Sequence, residues 1–173
     1  MRSVLLGIAL ASGLAGTAWG ETGCKLQKVA DLPVTMAGLK PQVPVKINGR
    51  EAVLVADSGA FFSMINERSA ERLGLSRGMT PPGLRVRGVG GTEAVKVMVA
   101  KRFELSGGAL TNVDFLVGEL APGGQADGIL GQNVLGVLDV EYDFANGAIR
   151  LFKPQGCAKA NLAYWAAGKP VNV

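Results

Sequence analysis

Val53-Leu54-Val55-Ala56-Asp57-Ser58-Gly59-Ala60 is the stretch on which the reading of this chain turns. Its first four residues are apolar without alternation, the pattern of a strand buried on both faces. The strand runs directly into a carboxylate, and burying a carboxylate without partners is expensive. Ser58 offers a hydroxyl donor, while Gly59 lets the backbone turn sharply and bring an N–H close to the acid. A rigidly held acid at Asp57 is therefore expected. On its own, Asp-Ser-Gly-Ala is also the composition of an ordinary Asx turn, so the surrounding chain must decide.

Upstream, Val43 to Ile47 alternates and meets Asn48-Gly49, a two-residue hairpin signal whose return strand is Glu51 to Ala56. Pro44 marks the first strand as an edge or a bulge. Downstream, Asn66 to Leu73 reads as a short helix, with Asn66 as its cap, Glu67 in its first turn and Gly74 at its end. Leu84 to Arg87 and Ala94 to Val99 flank Gly88-Val89-Gly90-Gly91, a hairpin with a glycine-rich tip. Phe103 to Leu105 and Val113 to Val117 are further strands, separated by Ser106-Gly107-Gly108. From Leu138 to Phe144 every even position is apolar and every odd one acidic, so one strand face is buried and the other wet. Asn146-Gly147 turns the chain, and Ala148 to Phe152 returns. Many short strands with one or two brief helices predict an all-β barrel or sandwich.

The bulk properties narrow the chemistry. The 173 residues suffice for one domain with its own core. Residues 1–20 have the layout of a secretory signal peptide. Arg2 is the only charge before Glu21, Val4 to Ala15 is apolar, and Ala18-Trp19-Gly20 offers a cleavage site. The apolar run is short for a bilayer span; an uncleaved anchor is the alternative. Cys24 follows Glu21-Thr22-Gly23, which argues against lipid attachment. The mature chain is thus expected without a membrane partner, secreted, in a bacterial periplasm or beyond it. Cys24 and Cys157, the only cysteines, read as one disulfide in that oxidising setting. There is no histidine, which excludes Ser-His-Asp triads, Cys-His dyads and His-bearing zinc sites. Neither a metal nor another cofactor is expected. The net charge of +4 comes from dispersed Lys and Arg, unlike a nucleic-acid footprint, so no nucleic-acid partner is expected. Asp139, Glu141 and Asp143 read as a solvated strand face in preference to a cation site, and Asp127 as a turn residue. Arg85 and Arg87, on the hairpin with the glycine-rich tip, either meet substrate or are plain surface charge.

Taken together, these residues resemble the retropepsin-like aspartic proteases, including bacterial single-domain secreted relatives. In that family an apolar strand leads into Asp, Ser or Thr, Gly and a small residue, here Asp57, Ser58, Gly59 and Ala60. Two apolar residues and a glycine lie some seventy positions on, behind the loop; Ile129-Leu130-Gly131 fills that place, with a short helix following. The hairpin with tip Gly88, Val89, Gly90 and Gly91 fits the slot of the flap. The resemblance covers about residues 40–153 and implies a closed or partly closed β-barrel with a flap hairpin and one or two short helices. Residues 21–157 would be the protease domain and 158–173 a C-terminal extension. It also implies an endopeptidase acting on peptide or protein substrates, with Asp57 as the catalytic carboxylate. Only one such loop is present, so a complete dyad implies a homodimer, in which Ser58 would help lock the two loops together across the axis. Two departures stand out: Ser replaces the more frequent Thr at 58, and the extension from Gly156 has no counterpart in the viral enzymes. The alternative is a catalytically inactive periplasmic β-barrel used as a binding or assembly module.

Overall fold

The computed structural model describes residues 23–88, 90–119 and 126–157. The expected signal peptide (1–20), the C-terminal extension (158–173) and Val89 of the hairpin tip lie outside the described residues. The chain forms two compact units, Lys25–Gln155 and a smaller one of Met1–Cys24 with Gly156–Val173. Within the smaller unit Cys24 and Cys157 are disulfide-bonded, as their isolation in the sequence led us to expect. The bond closes a loop with a sequence separation of 133 residues, and in the chain-entropy account such a closure stabilises by up to about 4–5 kcal/mol. The double variant Cys24→Ser/Cys157→Ser should therefore unfold at a markedly lower urea concentration. An unchanged midpoint would mean that the bond contributes nothing to folding.

The larger unit opens with β1 (Lys25–Pro33) and β2 (Thr35–Ala37), then the hairpin β3 (Lys40–Ile47) and β4 (Arg50–Ala56). Asn48 and Gly49 turn this hairpin with φ of 52° and 79°, the left-handed conformation that favours Asn and Gly. After β5 (Met64–Ile65) comes α1 (Glu67–Arg72), whose first turn is capped by Asn66 Oδ1 accepting from the Ser69 N–H at 2.8 Å. Next are β6 (Ser76–Arg77), β7 (Arg85–Gly88), β8 (Gly91–Ala94), β9 (Lys96–Leu105) and β10 (Gly108–Val117). This unit ends with β11 (Gly128–Leu130), α2 (Gln132–Leu135), β12 (Asp139–Asp143), a 3-10 turn and β13 (Ala148–Gln155).

Six strands close into a ring: β3, β4, β11, β5, β10 and β9, which returns to β3. A second sheet runs β1-β13-β12, and among the described residues β7 pairs only with β8. This is the closed all-β barrel with two short helices that the sequence led us to expect. Its core draws on both larger sheets, with Leu32 and Ile149 joining Ile47, Leu54, Phe103 and Phe115 in one buried cluster. Phe103 and Phe115 meet edge to face, with ring centroids 5.7 Å apart.

Pro44 is tolerated for a reason specific to this barrel. β3 is not an edge strand, because β2 pairs with its residues 40–42 and β9 with Lys46 and Ile47 on the side away from β4. Pro44 falls in the interval between those two neighbours, where a missing N–H interrupts no ladder. β9 and β10 are longer than the hydrophobic pattern indicated. Lys101 and Arg102 are exposed within β9, and Asn112, at φ 54°, is skipped in the β10 register, so alternation breaks although pairing continues. The acidic face of β12 is less wet than expected. Arg150 of β13 reaches Glu141 at 3.0 Å, Asp143 at 2.7 Å and Asp31 of β1 at 3.5 Å, so a side-chain cation neutralises it.

Candidate active site

Asp57 follows the last residue of β4. The chain loops through residues 57–63 and returns as β5, and β11 lies between the two strands, parallel to β4 and antiparallel to β5. Such threading leaves no room for a side chain at Gly128, where β11 passes β5, or at Gly131 behind the loop. A Cβ on Gly128 would lie 1.9 Å from the Met64 carbonyl oxygen, and one on Gly131 would lie 2.7 Å from that of Ala60. These two glycines let the loop and the third strand approach.

The loop is held from behind by backbone and side chains together. Asp57 N–H donates to the Leu130 carbonyl at 3.0 Å. Gln132 and Asn133 N–H, at the start of α2, donate to the Ala60 and Phe61 carbonyls at 2.9 and 3.1 Å. Gln132 Nε2 reaches the Ser58 carbonyl at 3.3 Å. Asn133 Oδ1 accepts from both the N–H and the hydroxyl of Ser63, at 2.7 and 2.8 Å, and that hydroxyl accepts from the Gly131 N–H at 3.0 Å. Seven residues of loop are thereby fixed in place without a regular ladder.

The Asp57 carboxylate is partly buried, and its Oδ1 accepts the Gly59 N–H at 2.8 Å. Gly59 is thus the donor expected of it. Ser58 is not: it is exposed, its hydroxyl makes no hydrogen bond among the described residues, and the backbone amide has taken the near position. Asp57 faces a cleft of about 470 Å³ lined by Phe61, Phe62, Met64, Leu116 and Ile129 on one side and Val86, Arg87, Gly88 and Gly90 of the hairpin on the other. The underside of that hairpin rests on a small apolar cluster, in which Leu84 and Val86 pack against Met64, Val95 and Leu116. Gly88 pairs with Gly91 at the hairpin's end, so Gly91 belongs to the hairpin without lining the cleft. Leu130 and Gly131 stand behind the loop, while Ile129 reaches the cleft itself.

Asp127 does more than make a turn. Its carboxylate accepts from the Val53 N–H at 3.0 Å, the Ser69 hydroxyl at 2.6 Å and Arg72 Nη2 at 2.5 Å, tying β4, α1 and the start of β11 together. Burial alone would raise its pKa, but these hydrogen bonds and the Arg72 charge outweigh it and hold the carboxyl below the usual carboxylate range. A carboxyl depressed in the folded state stabilises above its unfolded pKa of about 3.9, and that contribution is lost as pH falls through the lower folded value. Asp127→Asn should therefore lower the unfolding free energy by about 2–4 kcal/mol at neutral pH, because an amide sets a donor against converging donors. Below about pH 4 the gap between the two proteins should narrow. Urea titrations at neutral and acidic pH check this, and a gap independent of pH would contradict it.

Sequence reasoning missed the apolar wall of Phe61, Phe62, Met64 and Leu116, the tethers Gln132 and Asn133, and the linking role of Asp127. Phe61-Phe62 carried a signal, as two aromatics directly after a loop that must stay near the surface. They remain exposed, edge to face at 5.0 Å.

The family model described as Aspartyl protease matches residues 43–134, just over half of the chain. No curated protein matches. Among solved structures the chain is similar to a retropepsin-like aspartic protease from Rickettsia conorii, at 15% identity and a TM-score of 0.49, covering 76% of this chain and 95% of that one. It is also similar to the EIAV protease solved with an inhibitor, at 25% identity and a TM-score of 0.45, covering 60% and 93%.

Proposed function

Because the chain belongs to the aspartyl protease family, we propose that it is an endopeptidase whose catalytic dyad is built from Asp57 of two identical chains. The observation that carries this reading is the cleft itself. Asp57 is the single carboxylate among the described residues lining it, on a loop whose Ser58, Gly59 and Phe61 are exposed and open to approach by a second copy. Two carboxylates facing each other across a two-fold axis cannot both ionise readily, so they share one proton. The ionised carboxylate takes a proton from a water as its oxygen attacks the peptide carbonyl carbon. The protonated one gives its proton to the carbonyl oxygen, forming a tetrahedral diol. Collapse of the diol, with proton transfer to the amide nitrogen, breaks the C–N bond. The hairpin ending at Gly88 to Gly91 serves as the flap that covers substrate and excludes water.

Residues 21–157 form the protease domain, and residues 1–20 export it to a bacterial periplasm; the disulfide fits an oxidising compartment. No helix among the described residues is long and apolar enough to cross a membrane. The test is gel filtration of the mature chain followed by a peptide-library digest of the dimer peak across pH. Cleavage with a bell-shaped profile on the acidic side of neutrality is expected. A dimer or monomer that cleaves nothing would leave the barrel as a binding or assembly module.

A further inference from the structure

We propose that Arg87 makes the cleft selective for peptides that carry a carboxylate side chain beside apolar residues around the scissile bond. This rests on the protease reading above. Asp57 and Arg87 are the only charged residues among the described ones that line the cleft; the others are apolar residues and glycines. Arg87 lies on β7 opposite Thr92, next to the hairpin end. Its neighbour two residues back, Arg85, directs its guanidinium across the hairpin to the Thr92 carbonyl at 3.4 Å. Arg87 is exposed and makes no ion pair or hydrogen bond among the described residues. Gly88 and Gly90 beside it carry no side chain to occupy the space around its head group.

A guanidinium presents a planar fork that matches a carboxylate in a two-point hydrogen bond. Apolar walls reduce the solvent around such a pair and strengthen it relative to one on an open surface. A substrate closed under the flap would therefore place Glu or Asp against Arg87 and bulky apolar residues against Phe61, Phe62 and Leu116. A Gln in the same place keeps the shape and loses the charge.

Pairs of peptides identical except for Glu or Gln at each position flanking a mapped cut site provide the test, assayed on the dimer at about pH 6, where a free Glu, with a pKa of about 4.3, is ionised. At one position kcat/KM is expected to be about tenfold higher for Glu than for Gln. R87Q should bring that ratio to about one, and R87E should favour a Lys peptide over the Glu peptide. A ratio near one in the unaltered protein, or a preference for Glu that survives in R87Q, overturns the proposal while leaving the protease reading in place. So does an R87Q protein whose pH profile shifts equally for all peptides, since Arg87 would then act on Asp57. Failure to cleave any peptide overturns the protease reading and this proposal with it.

Discussion

Asp57→Asn is expected to reduce peptide cleavage by at least about a thousandfold while barely moving the unfolding midpoint. The two effects separate because the substitution keeps the shape of the side chain. Asn Oδ1 can still accept the Gly59 N–H that Asp57 accepts at 2.8 Å, and the backbone bond to Leu130 does not involve the side chain. What disappears is the proton-sharing carboxylate. An Asn cannot take a proton from water at these pH values, and its amide puts donors where the partner's carboxyl needs an acceptor. Circular dichroism and urea unfolding report the fold, and peptide hydrolysis reports the chemistry. Residual activity near that of the unaltered protein would show that Asp57 is not the catalytic group.

The other large effect is expected from packing alone. Gly128→Ala should destabilise by about 4 kcal/mol or more, enough to prevent accumulation of folded protein. The added methyl would lie 1.9 Å from the Met64 carbonyl oxygen, and the atoms it meets are backbone, so no side chain can swing aside. Relief would require parting β11 from β5, in a strand that also pairs with β4 and so closes the barrel. Gly88→Ala supplies the control. No atom lies within 4 Å of a Cβ there, so the change should alter stability by no more than about 0.5 kcal/mol. Secreted yield and urea midpoints of the two variants compare them directly. Similar behaviour would mean that the close approach at Gly128 does not limit folding.

The legible parts of the sequence were those in which local chemistry and tertiary role coincide. The hairpin over residues 43–56 has a left-handed turn that Asn48-Gly49 favours, and the short helix has its cap in Asn66. Asp57 and Gly59 could be singled out because a buried apolar strand runs straight into them, and Gly131 through the resemblance to the aspartic proteases. A strand without alternation could not be seen. β1 shows no alternation, with Leu32 as its only fully buried side chain, and is defined by pairing with β13 across more than a hundred residues of chain. Asp127 looked like a turn because its three donors come from Val53, Ser69 and Arg72, and nothing local announces a contact between positions so far apart in the chain. The cleft's apolar lining escaped for the same reason. Phe62, Val86 and Leu116 are ordinary apolar residues until the barrel closes and the hairpin sets them around one carboxylate.

The central claim, that two chains share one active site, is tested most directly by mixing. Unaltered and Asp57→Asn chains would be co-refolded in equal amounts at a fixed total concentration at which each alone is dimeric. Random pairing puts about one quarter of the dimers in the fully unaltered form. If the dyad needs both carboxylates, activity should fall to about one quarter of that of the unaltered protein. Activity at about one half would mean that each chain works by itself, and would contradict the shared site.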